Sequence, residues 1–165
     1  KGQKRKKSRK MAEASKVVLF SYWRSSCSWR LRIALNMKGI EYEYKGVHLV
    51  KDGGEQHNEE YKKMNPAGLV PTLCIDGHTL TESIAVMEYL DETRTENPLL
   101  PKDSYKRMQA RQLCQIINSG TQPIQNLRIL QKIEGELGGD KMKWGREAIE
   151  NGLKTFEETL KNTRG

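Results

Sequence analysis

The residues best suited to chemistry form the hexapeptide Ser25-Ser26-Cys27-Ser28-Trp29-Arg30, a small polar patch around one thiol. Residues 16–22 precede it with a short β-branched and aromatic run, which predicts a buried strand. Apolar residues then recur at helical spacing (Trp29, Ile33, Ala34, Met37) up to Gly39, which predicts about three turns of helix with a glycine cap. The patch therefore lies where a strand turns into a helix. Backbone N–H groups are unpaired at a helix N-terminus, so hydroxyls and a thiol there can stabilise an anion such as a thiolate.

The same patch also has a purely structural interpretation. Ser25, Ser26 and Ser28 are residue types that cap helices, and Cys27 can serve as a small buried filler. This stretch alone does not choose between the two interpretations.

The positive charge of the chain is concentrated at its start. The 165 residues carry a net charge of +8, and seven of the first ten residues are Lys or Arg. Without those ten, 22 basic residues face 21 acidic ones. We therefore expect a disordered basic leader over residues 1–15 and a nearly neutral globular part. Nuclear import or nucleic-acid contact could use the leader. No aromatic residue interleaves with its charges, so we do not expect nucleic-acid binding.

Hydropathy and cysteine usage suggest a compartment. No run of 18 apolar residues occurs, and the N-terminus lacks the apolar core of a secretory signal, so we expect no membrane association. The three cysteines are odd in number and have no paired spacing, which is typical of reduced thiols. We expect a cytoplasmic protein.

Residues 16–94 predict the element order β-α-β-α-β-β-α. A second strand is expected over residues 41–50, and a hairpin turns at Asp76-Gly77. A strand, crossover helix and parallel strand followed by a hairpin and a helix favours an α/β domain of thioredoxin type. In that context Pro71, at the mouth of a strand, favours a cis peptide bond over the commoner trans form.

Residues 95–103 contain two prolines and predict a linker. Residues 104–165 predict an all-α, incomplete C-terminal domain of two helices. Pro123 lies inside the first of these and should kink or split it. Little in the sequence covers the apolar faces of these helices, so we expect them to be exposed.

Several kinds of chemistry are excluded. Cys27 has Arg24 and Arg30 three residues away on either side, so the two-cysteine motif of a dithiol reductase is absent. The three histidines have no zinc-site spacing, so no metal is expected. What remains is a one-thiol mechanism or a site that activates the thiol of another molecule.

Three further positions suit a small peptide ligand. Val70, before Pro71, can offer its backbone N–H and C=O as an added strand would. Glu82 and Ser83, at a predicted helix start, can bind an amino group and a carboxylate. A tripeptide with a central thiol would meet these demands, with its sulfur at residues 25–27.

The motifs resemble one family in particular. Residues 25–35, Ser-Ser-Cys-Ser-Trp-Arg-Leu-Arg-Ile-Ala-Leu, resemble the signature of the zeta class of glutathione transferases. The segment 65–73 and the Glu82-Ser83 pair are similar to motifs of many glutathione transferases. Residues 122–127, Gln-Pro-Ile-Gln-Asn-Leu, resemble the zeta segment that lines the substrate pocket. The resemblance covers the chain from about residue 16 onward.

The resemblance implies roles for individual residues. Ser25, Ser26 and Cys27 would be catalytic, with Ser25 donating a hydrogen bond to the glutathione thiolate. Gln56 would contact the glycine end of the tripeptide. At position 82, many family members have Gln where this chain has Glu82. The implied glutathione-binding set is Ser25, Ser26, Cys27, Ser28, Trp29, Arg30, Gln56, Val70, Glu82, Ser83, Gln122, Asn126, Leu127 and Arg128.

The implied reaction is glutathione-dependent cis–trans isomerisation of maleylacetoacetate to fumarylacetoacetate, in phenylalanine and tyrosine catabolism. The thiolate adds to the conjugated double bond, rotation follows, and elimination returns glutathione. Small α-halo acids would be further substrates. The resemblance also implies an acidic small-molecule substrate and a homodimer.

The chain departs from the family at its C-terminal end, where members continue for roughly 50 more residues according to the resemblance. We therefore expect a C-terminally shortened product of low stability. A glutathione-binding protein with little or no catalysis is the alternative to the isomerase. A reductase acting through Cys27 is a third hypothesis.

Overall fold

The computed structural model describes residues 16–163 and divides the chain into two units. The first unit extends to Leu99 and the second begins at Leu100. The division falls within the predicted linker, whose own limits stay a prediction. The predicted disordered leader at 1–15 lies outside the described residues.

The first unit has the predicted order of strands and helices. Its strands form one four-stranded sheet in the order β2-β1-β3-β4, with β1 parallel to β2 and the other pairs antiparallel. Two 3₁₀ turns, Lys51–Gly53 and Glu55–His57, lie between β2 and the second helix. The regular elements are β1 (Val18–Ser21), α1 (Ser26–Met37), β2 (Glu43–Gly46), α2 (Glu59–Met64), β3 (Thr72–Ile75), β4 (His78–Leu80) and α3 (Ser83–Thr93).

Strand β2 is shorter than the range 41–50 predicted for it. The last hydrogen bond between this segment and the sheet runs from the Val47 N–H to the Ser21 carbonyl, at 2.9 Å. Beyond it, the side chain of Glu55 accepts a hydrogen bond from the His48 N–H at 2.7 Å. This loop contact takes the place of a ladder bond, so the chain leaves the sheet there.

One apolar core lies between the sheet and helices α1 and α3. Helix α1 contributes Leu31, Ala34 and Leu35, all almost completely buried. The helical spacing of Trp29, Ile33, Ala34 and Met37 predicted this helix correctly, but Trp29, Ile33 and Met37 do not face the core. Their side chains are 61%, 50% and 54% exposed. Two apolar stripes share this helix, and periodicity cannot tell which one meets the sheet. The other core residues are Leu19, Leu73, Ile75, Val86 and Leu90.

The second unit contains three helices, α4 (Ser104–Asn118), α5 (Leu127–Gly135) and α6 (Lys141–Lys161), where the sequence predicted two. The break between α4 and α5 surrounds Pro123, which confirms the predicted split. Each helix begins behind a side chain that accepts a backbone N–H: Asp103, Asn126 and Asp140 respectively.

Helix α6 packs closely against the turn that precedes α5. The Trp144 indole N–H donates to the Ile124 carbonyl at 3.0 Å. A Cβ at Gly152 would overlap the side chain of Thr121, so only glycine permits this approach. Apolar burial is sparse, because Ile133 is the one buried apolar side chain among the described residues of this unit. This confirms the expectation that the helix faces are exposed. Among residues 16–163 no helix has the length and apolarity needed to cross a bilayer.

Candidate active site

The topology brings the predicted site residues of the first unit to one edge of the sheet. The patch at Ser25 follows the carboxyl end of β1, and residues 47–57 follow the carboxyl end of the parallel strand β2. Val70 precedes the amino end of β3, which runs antiparallel to β1. Glu82 and Ser83 follow the carboxyl end of β4, which is antiparallel to β3. All four segments therefore emerge at the same edge.

Ser25 is the N-cap of α1. Its backbone is extended (φ −79°, ψ 117°), and its Oγ accepts the Ser28 N–H at 3.1 Å. The Oγ is thus engaged as an acceptor, while its own hydrogen has no acceptor among the described residues. A half-buried hydroxyl with a free hydrogen, next to the unpaired N–H groups of Ser26 and Cys27, is suited to hold an anion.

The rest of the hexapeptide divides into different roles. Cys27 is a half-buried free thiol, and Ser26 is exposed. Ser28 was included among the ligand contacts, but it has no exposed surface, so its side chain cannot touch a ligand. Its Oγ instead accepts the Tyr22 N–H at 3.5 Å, which supports the turn into α1. The Trp29 ring is largely exposed and has the Arg32 guanidinium 5.8 Å from its centroid.

Val70 supplies backbone groups that lack partners. Its N–H and C=O make no hydrogen bond to any other described residue, and the Val70–Pro71 bond is cis, as expected. The preceding carbonyl, of Leu69, accepts from the Tyr61 hydroxyl at 2.7 Å and from the Asn65 amide at 2.8 Å. Burial raises the pKa of Tyr61, so this donor stays protonated.

Sequence reasoning missed the anchoring role of Tyr61. The segment 55–64 is polar and weakly helical, and one aromatic residue within it was the available signal.

Glu82 and Ser83 begin helix α3 in an unusual geometry. Glu82 has φ 64° and ψ 95°, a left-handed conformation that is uncommon for a residue with a side chain. Its side chain does not cap the helix, so the first N–H groups of α3 remain unpaired. Ser83 is 6% exposed, and its Oγ accepts a hydrogen bond from Arg30 Nη1 at 2.7 Å. The structure therefore joins the hexapeptide directly to the start of α3.

Gln56 lies at the same edge but is mostly enclosed. It is 8% exposed, and its amide nitrogen donates to the Leu49 carbonyl at 3.3 Å. Its Oε1 has no hydrogen-bond partner among the described residues. The predicted contact between Gln56 and the glycine end of a tripeptide stays a prediction.

The remaining predicted site residues belong to the second unit. Asn126 caps α5, with its Oδ1 accepting the Arg128 N–H at 3.3 Å. Gln122 is half-buried, and its N–H donates to the Ile117 carbonyl at 2.8 Å. Leu127 and Arg128 are exposed. Their predicted contacts with a ligand stay predictions. No group of metal-ligating side chains occurs among residues 16–163.

Comparisons with known proteins agree with this geometry. Residues 15–92 match the model of the glutathione S-transferase N-terminal domain. The maleylacetoacetate isomerase of Dictyostelium discoideum is 54% identical over 153 residues, which cover 92% of this chain and 70% of that protein.

Solved structures of the same group align over most of the chain. A maleylacetoacetate isomerase from Methylobacterium extorquens AM1, with bound malonate and glutathione, is 39% identical with a TM-score of 0.83, covering 90% of this chain and 70% of that one. A bacterial zeta-class maleylpyruvate isomerase is 38% identical with a TM-score of 0.81, covering 86% of this chain and 67% of that one. The thioredoxin-like domain followed by helices is confirmed, and the chain belongs to the maleylacetoacetate isomerase family of zeta-class glutathione transferases.

Proposed function

We propose that this protein catalyses the glutathione-dependent cis–trans isomerisation of maleylacetoacetate to fumarylacetoacetate. The observation that carries the proposal is a set of orphaned polar groups at one sheet edge. Val70 has an unpaired N–H and C=O, and the hydroxyl hydrogens of Ser25 and Ser83 have no acceptor among the described residues. Ser83 is buried, whereas Ser25 and Val70 are half-buried and so within reach of a ligand. Together these unpaired groups suit a ligand with a peptide backbone, a thiolate and a carboxylate.

Glutathione fits that description and binds relatives of this chain. When bound, it supplies a thiolate for reversible addition to a conjugated double bond. Ser25 would donate to that thiolate, and the unpaired N–H groups of α1 would favour its negative charge. Both effects lower the pKa of a bound thiol and so increase the fraction of reactive anion at neutral pH.

The other groups would orient the tripeptide. Val70 would pair with its cysteinyl backbone, as an added strand pairs with a sheet edge. Glu82 would accept the γ-glutamyl ammonium, and Ser83 with the unpaired N–H groups of α3 would receive the carboxylate. Because the reacting sulfur is then held in one place, its addition to the substrate becomes effectively a unimolecular step.

Finer assignments extend this proposal. The second substrate is acidic, and Gln122, Asn126, Leu127 and Arg128 would face it or the tripeptide. Small α-halo acids would be substrates of the same thiolate by displacement. The reaction would belong to phenylalanine and tyrosine catabolism. The protein would form a homodimer. It would be located in the cytoplasm, and also in the mitochondrion. The free thiols of all three cysteines agree with a reducing compartment.

Turnover of maleylacetone with and without glutathione tests the function. Isomerisation should require glutathione, and Cys27→Ser should weaken it without abolishing it, because Ser25 rather than Cys27 activates the sulfur. A reductase acting through Cys27 would lose all activity in that variant. Loss of all isomerisation in Cys27→Ser, with glutathione still bound, would contradict the proposal.

A glutathione-binding protein without catalysis is the second candidate. The observation that favours it is the exposure of apolar side chains on α4 and α6, such as Tyr105 and Leu153. A helical unit with so little burial is poorly suited to hold a substrate rigidly. Glutathione binding by calorimetry, combined with no maleylacetone turnover, would identify this candidate.

A further inference from the structure

We propose that Arg30 is a positioning residue that makes the site selective for the γ-glutamyl carboxylate, acting through the hydroxyl of Ser83. This inference rests on the proposed function, because it assumes that glutathione binds at this edge. The resemblance to the family placed Arg30 in the glutathione-binding set without a role of its own. The structure gives it a defined partner on another helix, Ser83 Oγ, 2.7 Å from Nη1.

The direction of this hydrogen bond has a chemical consequence. A guanidinium group only donates, so Ser83 Oγ must be the acceptor. The single hydrogen of the Ser83 hydroxyl is then directed elsewhere, and no described residue accepts it. Arg30 thereby commits Ser83 to act as a donor toward a third group. A donor at this position suits a carboxylate and not an ammonium.

The surroundings strengthen the effect. Ser83 is 6% exposed and Arg30 is half-buried, so the hydroxyl that receives this bond is shielded from water. Ser83 is also the first residue of α3, whose leading N–H groups lack a side-chain cap. The site for the carboxylate therefore combines a cation, a polarised hydroxyl and a helix N-terminus, and each of them favours a negative charge.

The same arrangement connects two parts of the site mechanically. Arg30 lies on α1, five residues after the Ser25 that would hold the sulfur, while Ser83 begins α3. A rigid hydrogen bond between the two helices fixes the spacing between the sulfur position and the carboxylate position. The planar fork of an arginine holds such a bond in a more fixed geometry than the flexible ammonium of a lysine would.

Two glutathione analogues test the inference by calorimetry on the full 165-residue protein. Glutaryl-Cys-Gly keeps the carboxylate and lacks the ammonium, whereas 4-aminobutanoyl-Cys-Gly keeps the ammonium and lacks the carboxylate. Arg30→Met and Ser83→Ala should each weaken binding of glutathione and glutaryl-Cys-Gly by about ten- to a hundredfold, the usual effect of losing a charge-assisted hydrogen bond. Neither should change the affinity for 4-aminobutanoyl-Cys-Gly by more than about twofold.

Matched variants separate selectivity from general damage. Arg32→Met removes a guanidinium two residues away, which contacts Trp23 and Trp29 rather than Ser83. This variant should therefore show the same ratio of affinities for the two analogues as the unaltered protein. Arg30→Lys should recover part of the ratio. The double variant Arg30→Met/Ser83→Ala should lose little more than either single variant, because both act through one hydrogen bond.

The outcomes distinguish the inference from the proposed function. An unaltered protein that binds none of the three peptides overturns the proposed function. An unaltered protein that binds glutathione, with the analogue ratio unchanged in Arg30→Met, overturns the role of Arg30. If Arg30→Met does not fold, the ratios in Ser83→Ala and Arg30→Lys decide, and unchanged ratios in both reject the inference.

Discussion

Lys38 Nζ lies 2.6 Å from Asp91 Oδ1, and the lysine side chain is fully buried. The same ammonium donates to the carbonyls of Arg94 at 2.8 Å and Glu96 at 3.1 Å. Asp91 Oδ1 in turn accepts the Leu99 N–H at 2.7 Å. One ion pair thus joins the end of α1 to α3 and to the chain that leaves the first unit.

Replacing Lys38 by Met should lower the free energy of unfolding of the first unit by about 3–5 kcal/mol, because it removes one charge of a buried ion pair. Lys16→Met is the matched control. Its ion pair with Glu43, at 2.9 Å, involves a lysine side chain that is 74% exposed, so its loss should cost much less than the loss of Lys38. Denaturant unfolding followed by circular dichroism measures both. An equal loss of unfolding free energy in the two variants would show that the buried ion pair stabilises the unit no more than the exposed one.

Removing the Ser25 hydroxyl should have two separable effects. Ser25→Ala should cost about 1 kcal/mol of stability, because α1 loses its N-cap, and should raise the pKa of the bound glutathione thiol. Asp103→Ala removes an N-cap from α4, whose Oδ1 accepts the Lys106 N–H at 2.9 Å, without touching the site. It should cost similar stability and leave the thiol pKa unchanged. Thiolate absorbance during a pH titration is the measurement, and an equal thiol pKa in both variants would contradict the role of Ser25.

The pair formed by Asp76 and Arg94 should make stability depend on acid pH. Hydrogen bonds from Arg94 hold the pKa of Asp76 below its usual value of 3.8. A carboxylate with a lowered folded pKa contributes stability above its unfolded pKa, and this contribution disappears as pH falls through the folded pKa. Arg94→Met should therefore cost about 0.2–1 kcal/mol at pH 7, the range for exposed pairs, and progressively less as the pH falls through the lowered pKa of Asp76. Thermal unfolding as a function of pH measures this, and a pH-independent cost would count against the assignment.

Gly152 and Gly135 offer a matched test of packing in the second unit. Both are helical, but a Cβ at Gly152 overlaps Thr121, whereas a Cβ at Gly135 meets nothing within 4 Å. Gly152→Ala should destabilise the α6 contact by about 1–3 kcal/mol, as overpacking does. Gly135→Ala should be neutral or stabilising by up to about 1 kcal/mol. Denaturant unfolding followed by tryptophan fluorescence compares them, and equal effects of the two substitutions would contradict the close packing of Gly152 against Thr121.

The two units should differ in protection against hydrogen exchange. The first unit has a continuous core around Leu19, Leu35 and Leu73, whereas the described part of the second buries Ile133 alone among its apolar side chains. Amides of β1 and α1 should therefore exchange at least about 100-fold more slowly than those of α4 and α6, because local opening is easier where little apolar surface is buried. Uniform protection across both units would refute the prediction of a weak helical unit.

Local signals were enough to predict most elements of the fold. The turn at Asp76-Gly77, the break at Pro123 and the capping residues follow from the chemistry of single residues. The hexapeptide around Cys27 identified the family. Periodicity predicted helix α1 but could not show which side of it is buried, because Leu31 and Leu35 form a second apolar stripe beside Trp29, Ile33 and Met37.

The sequence by itself therefore determined the elements, their order and the family to which the chain belongs. Only the tertiary structure decided which residues meet across elements. The bond from Arg30 to Ser83 spans 53 positions, as does the pair of Lys38 and Asp91, and neither has a local signature. Such pairings arise because the sheet order places α1 beside α3, and a side chain's partner is set by the packing of whole elements, which no short stretch of sequence encodes.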